Sequence, residues 1–378
     1  MPRLVSMLEA GERGQYADLQ WLYYFMERSD AVIASVVQRR RAALLSVDWD
    51  IRVVAGGDDR ETDDREISTT KVAKYTKGKQ FDPVLAEEQK ELLRYAYDQI
   101  ENFKDAVGFL WGGFFRGFSH LEKHFAADGL VERLEPVEQW FWVRDGMFGN
   151  WEYNRHANTG LLRGEAIERE NFVVFETMAL NRILSMLYLR KNLSQKDWDS
   201  FLAVYGIPSV FLVGPPNASA DREKEFQEIA ELLINDGRGY LPNGSDIKFV
   251  NGGGGRPPFL EHIDYLDKQI VIAATGGLLT MLAEPGSGTL AGGAHTETFM
   301  QIARSDAVTL SAVLQRDIDK PLLEAFFPGQ PPLAYFEFSP VASDQTRQVV
   351  QDAVDLSKAG LKVDAAEVAE KTGYKLGE

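Results

Sequence analysis

The chain opens with apolar residues at helical spacing. Leu19, Leu22, Tyr23, Met26, Ile33, Val36, Val37 and Leu44 recur three and four apart, which predicts helix across most of the first 50 positions. Ser29 or Asp30 suits the cap of a second helix running to about Leu45. The stretch Val47–Val54 alternates polar and apolar residues and predicts a strand. Ala55–Lys79 is rich in Gly, Asp, Arg, Thr and Lys and reads as an exposed loop. A helix follows from Pro83 to about Asn102, with Leu85, Leu92, Leu93, Tyr95 and Ile100 on its apolar side. The segment Phe103–Phe125 passes from helix into strand, and Asp128-Gly129 turns the chain into Val131–Arg144, a hairpin. Asn150–Glu176 reads as further strands and turns.

The pattern changes after Phe175. Glu176–Asn192 is an amphipathic helix and Lys196–Gly206 a second, ending at its glycine. Then comes a compact segment: a strand Ile207–Val213, a helix Ala220–Asp236, and short strands Gly237–Pro242 and Asp246–Val250. The helix places Phe226, Ile229, Leu232 and Leu233 on one face, and the run Asn251–Gly255 with Pro257-Pro258 closes the segment. The helix His262–Glu284 is apolar almost all round after Lys268, so it is expected to be buried on most sides. A glycine-rich loop, Glu284–His295, leads into a long helix Thr296–Lys320, which Pro321 ends or kinks. That helix carries Phe299, Ile302, Ala303, Ala307, Leu310, Leu314 and Ile318 on one face. A strand Leu333–Pro340 and a helical tail from Asp344 finish the chain, and no internal repeat is present. The whole reads as an α+β chain.

With 378 residues, 44% of them hydrophobic, the chain can bury one large core or two to three smaller ones. It has no cysteine, which removes disulfides and thiolates from consideration and suits assembly in a reducing cytoplasm. The first dozen residues are charged and lack the apolar run of a signal peptide. The longest apolar stretch, Ile270–Ala283, falls short of the roughly 20 residues a bilayer span needs. Net charge is −16, from 41 basic and 57 acidic residues. No basic cluster exceeds Arg39-Arg40-Arg41. This balance argues against tight sequence-independent grip on nucleic acid and fits a surface that DNA slides past.

Candidate chemistry is sparse. The loop Gly286-Ser287-Gly288-Thr289-Leu290-Ala291-Gly292-Gly293 opens a helix and invites a phosphate cradle. No lysine follows it in the P-loop manner, and no strand–helix alternation surrounds it, so a hinge loop is the better reading. His120, Glu122 and His124 resemble metal ligands only if helical; on a strand the two histidines stand roughly 13 Å apart, and the hairpin favours the strand. Asp58-Asp59 and Asp63-Asp64 fall in a polar loop and read as solvated charge. Trp140-Phe141-Trp142 lacks interleaved cations and reads as core. His156, His262 and His295 have no Ser or Asp at triad spacing. No cofactor or metal is expected, and no catalytic residue.

The order of elements carries more. Around it stand the phrases YGIP (Tyr205–Pro208), YLDKQI (Tyr265–Ile270), GSGTLAGGAH before TETF, and DKPLLEAFFP (Asp319–Pro328), with LLSVDWDIR and GGFFRGFSHLE earlier. This ordered set resembles the Mu-type portal family of tailed phages, from about residue 20 to 340. The resemblance implies a portal-like α+β fold. Residues 1–176 and 296–340 would form an α/β wing, 177–206 and 257–283 a helical stem, 207–256 a small α+β clip, and 341–378 a short helical crown. Residues 284–295 would be the tunnel loop, with Gly286, Ser287, Gly288, Thr289, Leu290, Gly292, Gly293 and His295 facing a channel.

It further implies a ring of twelve copies at one capsid vertex of the virion, assembled in the host cytoplasm. Its partners would be a large terminase, a head-completion or adaptor protein, and capsid and scaffold proteins. Double-stranded DNA would pass through non-specifically, with no membrane involved and no nucleotide hydrolysis by the portal itself. The rivals are a nucleotide-binding enzyme using Gly286–Gly293 and another structural phage protein, such as an adaptor or capsid subunit. Two departures stand out. HLEKHF is less apolar than the family's strand after the glycine turn, and the tail is short.

Overall fold

In chain order the protein forms helices α1 (Pro2–Glu12), α2 (Ala17–Ser29) and α3 (Ala31–Leu45), then strand β1 (Asp48–Val53). Helices α4 (Pro83–Asp98), α5 (Phe103–Trp111) and α6 (Gly113–Arg116) precede strands β2 (Phe118–Phe125), β3 (Val131–Val137), β4 (Trp142–Arg144), β5 (Trp151–Tyr153), β6 (Glu165–Ala166) and β7 (Phe172–Glu176). Helix α7 (Asn181–Tyr205), strand β8 (Phe211–Val213), helix α8 (Ala220–Leu232), strand β9 (Gly239–Leu241) and helix α9 (Phe259–Thr275) follow. The chain continues through α10 (Thr289–Leu314), a π-helical turn (Gln315–Asp319), α11 (Lys320–Phe326) and β10 (Ala334–Ser339). This computed structural model describes residues 2–54, 82–205, 211–213, 219–232, 239–241, 258–277 and 289–339, with a few positions between 350 and 368. The expected loop Ala55–Lys79, the strand Asp246–Val250, the run Asn251–Gly255 and most of the tail lie outside the described residues.

The chain divides into two units, Met1–Ser185 with Val271–Glu378, and Met186–Ile270. In the first, α2 and α3 form as their spacing predicts. Asp30 is the cap that starts α3: its carboxylate accepts the backbone N–H of Val32 at 2.9 Å and of Ile33 at 3.0 Å, filling donors that a helix start leaves open. Asp82 does the same for α4 at Val84 and Leu85, with Pro83 in the first turn. Strand β1 pairs antiparallel with β10, joining the two halves of the unit across nearly 300 positions of sequence, from Asp48 opposite Ser339 to Val53 opposite Ala334. The hairpin β2–β3 forms around Gly129, whose φ of +84° lies in the left-handed region.

Strand β2 is the centre of a three-stranded antiparallel sheet, β3-β2-β7. It is sandwiched. One face meets an aromatic cluster of Phe118, Trp142, Trp151 and Phe172, packed by Tyr16. His120 lies in this cluster, fully buried and stacked on Trp142 at 3.8 Å. The other face turns to the helices: Ser119 donates to the Phe109 carbonyl of α5, and Lys123 reaches the π turn. A second aromatic group, Trp49, Tyr97, Phe103 and Phe336, ties β1 and β10 to α4 and α5.

In the second unit β8 and β9 pair in parallel and α8 lies between them in sequence, a βαβ crossover. Its other described residues are mostly helical, from α7 and α9.

Three sequence expectations change. The two helices Glu176–Asn192 and Lys196–Gly206 are one, α7: neither glycine nor proline interrupts Leu193–Gln195, and Ser194 uses its hydroxyl sideways instead of capping a new helix. The apolar helix stops at Thr275, well before Ala283 or Glu284. Gly276 adopts φ +71° there and its N–H bonds the Ile272 carbonyl, while Thr275 Oγ1 bonds the Val271 and Gly277 carbonyls. Finally, the long helix begins at Thr289 instead of Thr296 and runs through Pro321 to Phe326 without ending there.

Candidate functional site

The passage through Pro321 has a clear physical cause. Proline has no N–H and its ring crowds the carbonyl four residues back, here Asp317. The preceding turn widens to π geometry, in which Lys320 N–H bonds Gln315 O, five back. The orphaned Asp317 carbonyl is taken up by Lys123 Nζ at 2.9 Å, reaching from β2. Burial pulls the Lys123 ammonium below the usual lysine range, partly opposed by the Asp317 carboxylate.

Asp317 is itself a junction. Its carboxylate accepts Arg169 at 3.0 and 3.1 Å, Arg316 at 2.7 and 2.8 Å, and the Val174 backbone N–H of β7 at 2.9 Å. Burial pushes this carboxyl up, but the Arg316 hydrogen bond, the Val174 N–H and the Arg169 charge outweigh it and hold it below the ordinary range. Two residues on, Asp319 meets no cation among the described residues. It accepts Tyr97 Oη at 2.6 Å and Phe336 N–H of β10 at 2.7 Å, and burial pushes it up to about 6 against those two bonds.

Higher on α10, Asp306 is gripped by Arg40 through Nε at 2.9 Å and Nη2 at 2.7 Å, with Trp111 Nε1 donating at 3.0 Å. The third arm of Arg40, Nη1, donates to the Ala274 carbonyl at 3.1 Å. That carbonyl belongs to the last turn of α9, where the final four C=O groups lack partners and a cation offsets the helix dipole. Arg116 performs the matching task at the start of α7. It holds Glu27 at 2.7 Å and Gln139 at 2.8 Å, and Glu27 accepts Asn181 Nδ2, at the first residue of α7, at 2.7 Å. The beginning of α7 and the end of α9 are thus both fixed by buried arginine–carboxylate networks.

Each of these carboxylates accepts at least two hydrogen bonds from its neighbours, and among the described residues no group of three or more His, Asp and Glu could hold a metal ion. Their chemistry is positional. In the second unit α7 and α9 are pinned to one another by Lys191 Nζ to Asp267 at 2.5 Å and by Ser194 Oγ to His262 Nδ1 at 2.9 Å. His262 therefore does have a serine partner, one that sequence spacing could not reveal.

Of the residues expected to face a channel, Thr289, Leu290, Gly292, Gly293 and His295 lie in the first turns of α10 and not in a loop. Gly286, Ser287 and Gly288 lie outside the described residues, as do Asp58, Asp59, Asp63 and Asp64. His120 and His124 are on a strand, as expected, with His120 buried and His124 exposed. Both His120 ring nitrogens lack hydrogen-bond partners. Burial, with the Arg169 and Arg144 charges, holds its pKa well below the usual range. Trp140 and Trp142 are core residues. No described helix is long and apolar enough to cross a membrane.

Sequence reasoning missed the junction residues Arg40, Lys123, Asp306, Asp317 and Asp319. A signal was there. Asp306 is three positions after Ala303 and four before Leu310, and Asp317 is three after Leu314. Both therefore interrupt the apolar stripe, and a charge on a buried stripe requires a partner.

The order of elements defines an α+β chain of two units. The chain belongs to the family whose model is described as "Portal protein of Mu bacteriophage", which matches residues 20–374. It is 26% identical over 335 residues to the Mu-like prophage FluMu protein gp29 of Haemophilus influenzae, covering 85% of this chain and 59% of that protein. It is 25% identical over 384 residues to the portal protein of Escherichia phage Mu, covering 98% of this chain and 70% of that one. The chain thus spans 59% of the length of the first of these relatives. Among solved structures it resembles a chain of the neck of an empty gene transfer agent particle, with a TM-score of 0.53, 12% identity, and 92% of this chain and 93% of the other covered. A chain from the virion of a native gene transfer agent particle matches at 0.53 and 13%, with 94% and 93% covered. At such identities these two likenesses speak for the fold alone.

Proposed function

We propose that the protein is a portal subunit: one of a closed ring of copies at a capsid vertex, through which DNA enters and leaves and to which the tail joins. The observation that carries this is membership of the Mu portal family over residues 20–374. The structural neighbours include a gene transfer agent neck computed with C12 symmetry, and a ring of twelve is proposed accordingly. Residues 1–176 and 296–340 would be the wing, 177–206 and 257–283, which carry α7 and α9, the stem, 207–256, which carry β8–α8–β9, the clip, and 341–378 a short crown. The tunnel loop would be Glu284–His295, whose last residues, from Thr289 on, open α10.

Large terminase would drive the DNA, and adaptor, capsid and scaffold proteins would contact the ring. The net charge of −16 supports passage without sticking, since a ring of acidic subunits repels phosphate at short range. The buried arginine–carboxylate networks that fix the ends of α7 and α9 support a mechanical role.

The test is the mass of the purified protein at micromolar concentration. A closed ring appears as one species near twelve times the 42.4 kDa subunit, without ATP turnover. A species that stays monomeric at that concentration, or steady ATP hydrolysis lost on mutating Gly288, overturns the reading.

A further inference from the structure

Two helices of the first unit carry exposed stripes of complementary chemistry. On α2, Trp21, Phe25 and Arg28 are four and three residues apart and share a face. Trp21 is 47% and Phe25 59% exposed, and Arg28 is exposed beside them. The stripe is stiff. Trp21 stacks flat on Trp140 at 4.3 Å, and the Arg28 guanidinium lies over the Tyr24 ring at 3.4 Å. Rigid aromatics with an arginine are the side chains that anchor protein interfaces.

On α4, Glu88, Glu91 and Tyr95 form a stripe of the same length, three and four apart. Tyr95 is 54% exposed, and both glutamates are exposed and make no ion pair among the described residues, whereas their neighbours Glu87 and Asp98 are paired with Lys90 and Arg94. The two stripes cannot meet within one subunit. Helix α2 packs on α3 and the turn Gln139–Phe141, while α4 packs on β1 and β10.

We propose that the α2 stripe of each subunit docks on the α4 stripe of the next copy of this chain, with Arg28 meeting Glu88 and Glu91 and the aromatic rings Trp21, Phe25 and Tyr95 closing over the contact. Two different patches of one chain that fit one another make a head-to-tail contact, which closes into a ring when the rotation allows. The inference rests on the portal-ring reading and specifies a surface through which the ring is held.

The experiment uses the full chain and mass photometry. Arg28→Glu alone, and Glu88→Lys with Glu91→Lys alone, each raise the concentration for half-dissociation of the ring at least tenfold. Like charges then face each other at every joint. Mixing the two variants restores rings, because in an alternating ring every joint again pairs opposite charges. Phe25→Ser, an exposed position with no folding role, gives the same loss without a charge change, and unchanged thermal transitions confirm folded subunits. Either charge variant assembling as tightly as the parent, or a mixture that fails to restore rings, overturns the docking while leaving a ring intact. A parent protein that forms no ring overturns the portal reading itself, and the docking with it.

Discussion

Replacing Arg40 with alanine tests the networks that fix the ends of α7 and α9. The side chain of Arg40 is 10% exposed and that of Asp306 4%, so both charges sit out of water. Alanine removes both arms on Asp306 and the donor to the Ala274 carbonyl. Only Trp111 Nε1 is left on the carboxylate. Removing one partner of a buried pair costs about 3–5 kcal/mol, because the other charge stays buried. The surviving Trp111 bond returns roughly 1–2 kcal/mol, and the unmatched helix carbonyl takes about the same away. The expected loss is therefore about 4 kcal/mol, a fall in Tm on the order of 10 °C for a unit of this size.

Urea unfolding at pH 7, followed by tryptophan fluorescence and far-UV circular dichroism, measures it. Arg40→Met with Asp306→Asn should recover more than half of the loss, since no charge is stranded and the amide oxygen still accepts from Trp111. A loss below about 1 kcal/mol in Arg40→Ala, well short of the buried-pair cost, would refute the reasoning. So would a double variant no better than the single.

Burial pushes the Asp319 carboxyl up to about 6 in the folded protein, from the 3.8 of a free aspartate. The folded state binds the proton more tightly, so stability from this group is present below the unfolded value and is lost as pH rises to about 6, by on the order of 3 kcal/mol. Asp319→Asn should flatten that part of the urea-stability profile between pH 4 and 7; an unchanged slope contradicts the assignment. His120 has the opposite sign. It is held neutral by burial, so its contribution is lost as pH falls below the unfolded histidine value. His120→Phe, which strands no nitrogen in the Trp142–Trp151 cluster, should stabilise the protein more at pH 5 than at pH 7.5; equal gains at both pH values would count against it. Lys123→Met leaves the Asp317 carbonyl without a donor and should cost about 1–3 kcal/mol in urea unfolding. Adding Pro321→Ala should recover part of that loss by supplying an N–H at position 321, and no recovery would break the link between the lysine and the proline.

The local grammar of the chain was legible. Of the two candidate caps Ser29 and Asp30, Asp30 starts α3, and Asp128-Gly129 made the turn of a hairpin. The β1–β10 pairing was not legible, because both strands are short and their partnership spans almost the whole chain. Helix ends were misjudged where side chains decide them. Thr275 and the left-handed Gly276 terminate α9 inside an apolar run, and the glycines Gly292 and Gly293 fall inside α10 although glycine favours a loop there. Pro321 reads in sequence as a helix end or a kink, and the choice was not legible because the lysine that makes its passage tolerable is contributed by β2, almost 200 residues earlier. The portal resemblance rested on the order of elements, and the family match over residues 20–374 agrees with it.

Cryo-electron microscopy of the purified full-length chain tests the central claim most directly. The account predicts class averages of closed rings with cyclic symmetry and an axial channel, with α7 and α9 turned toward that channel. A population of single subunits, or of two-fold dimers that bury the same patch on both partners, would contradict it.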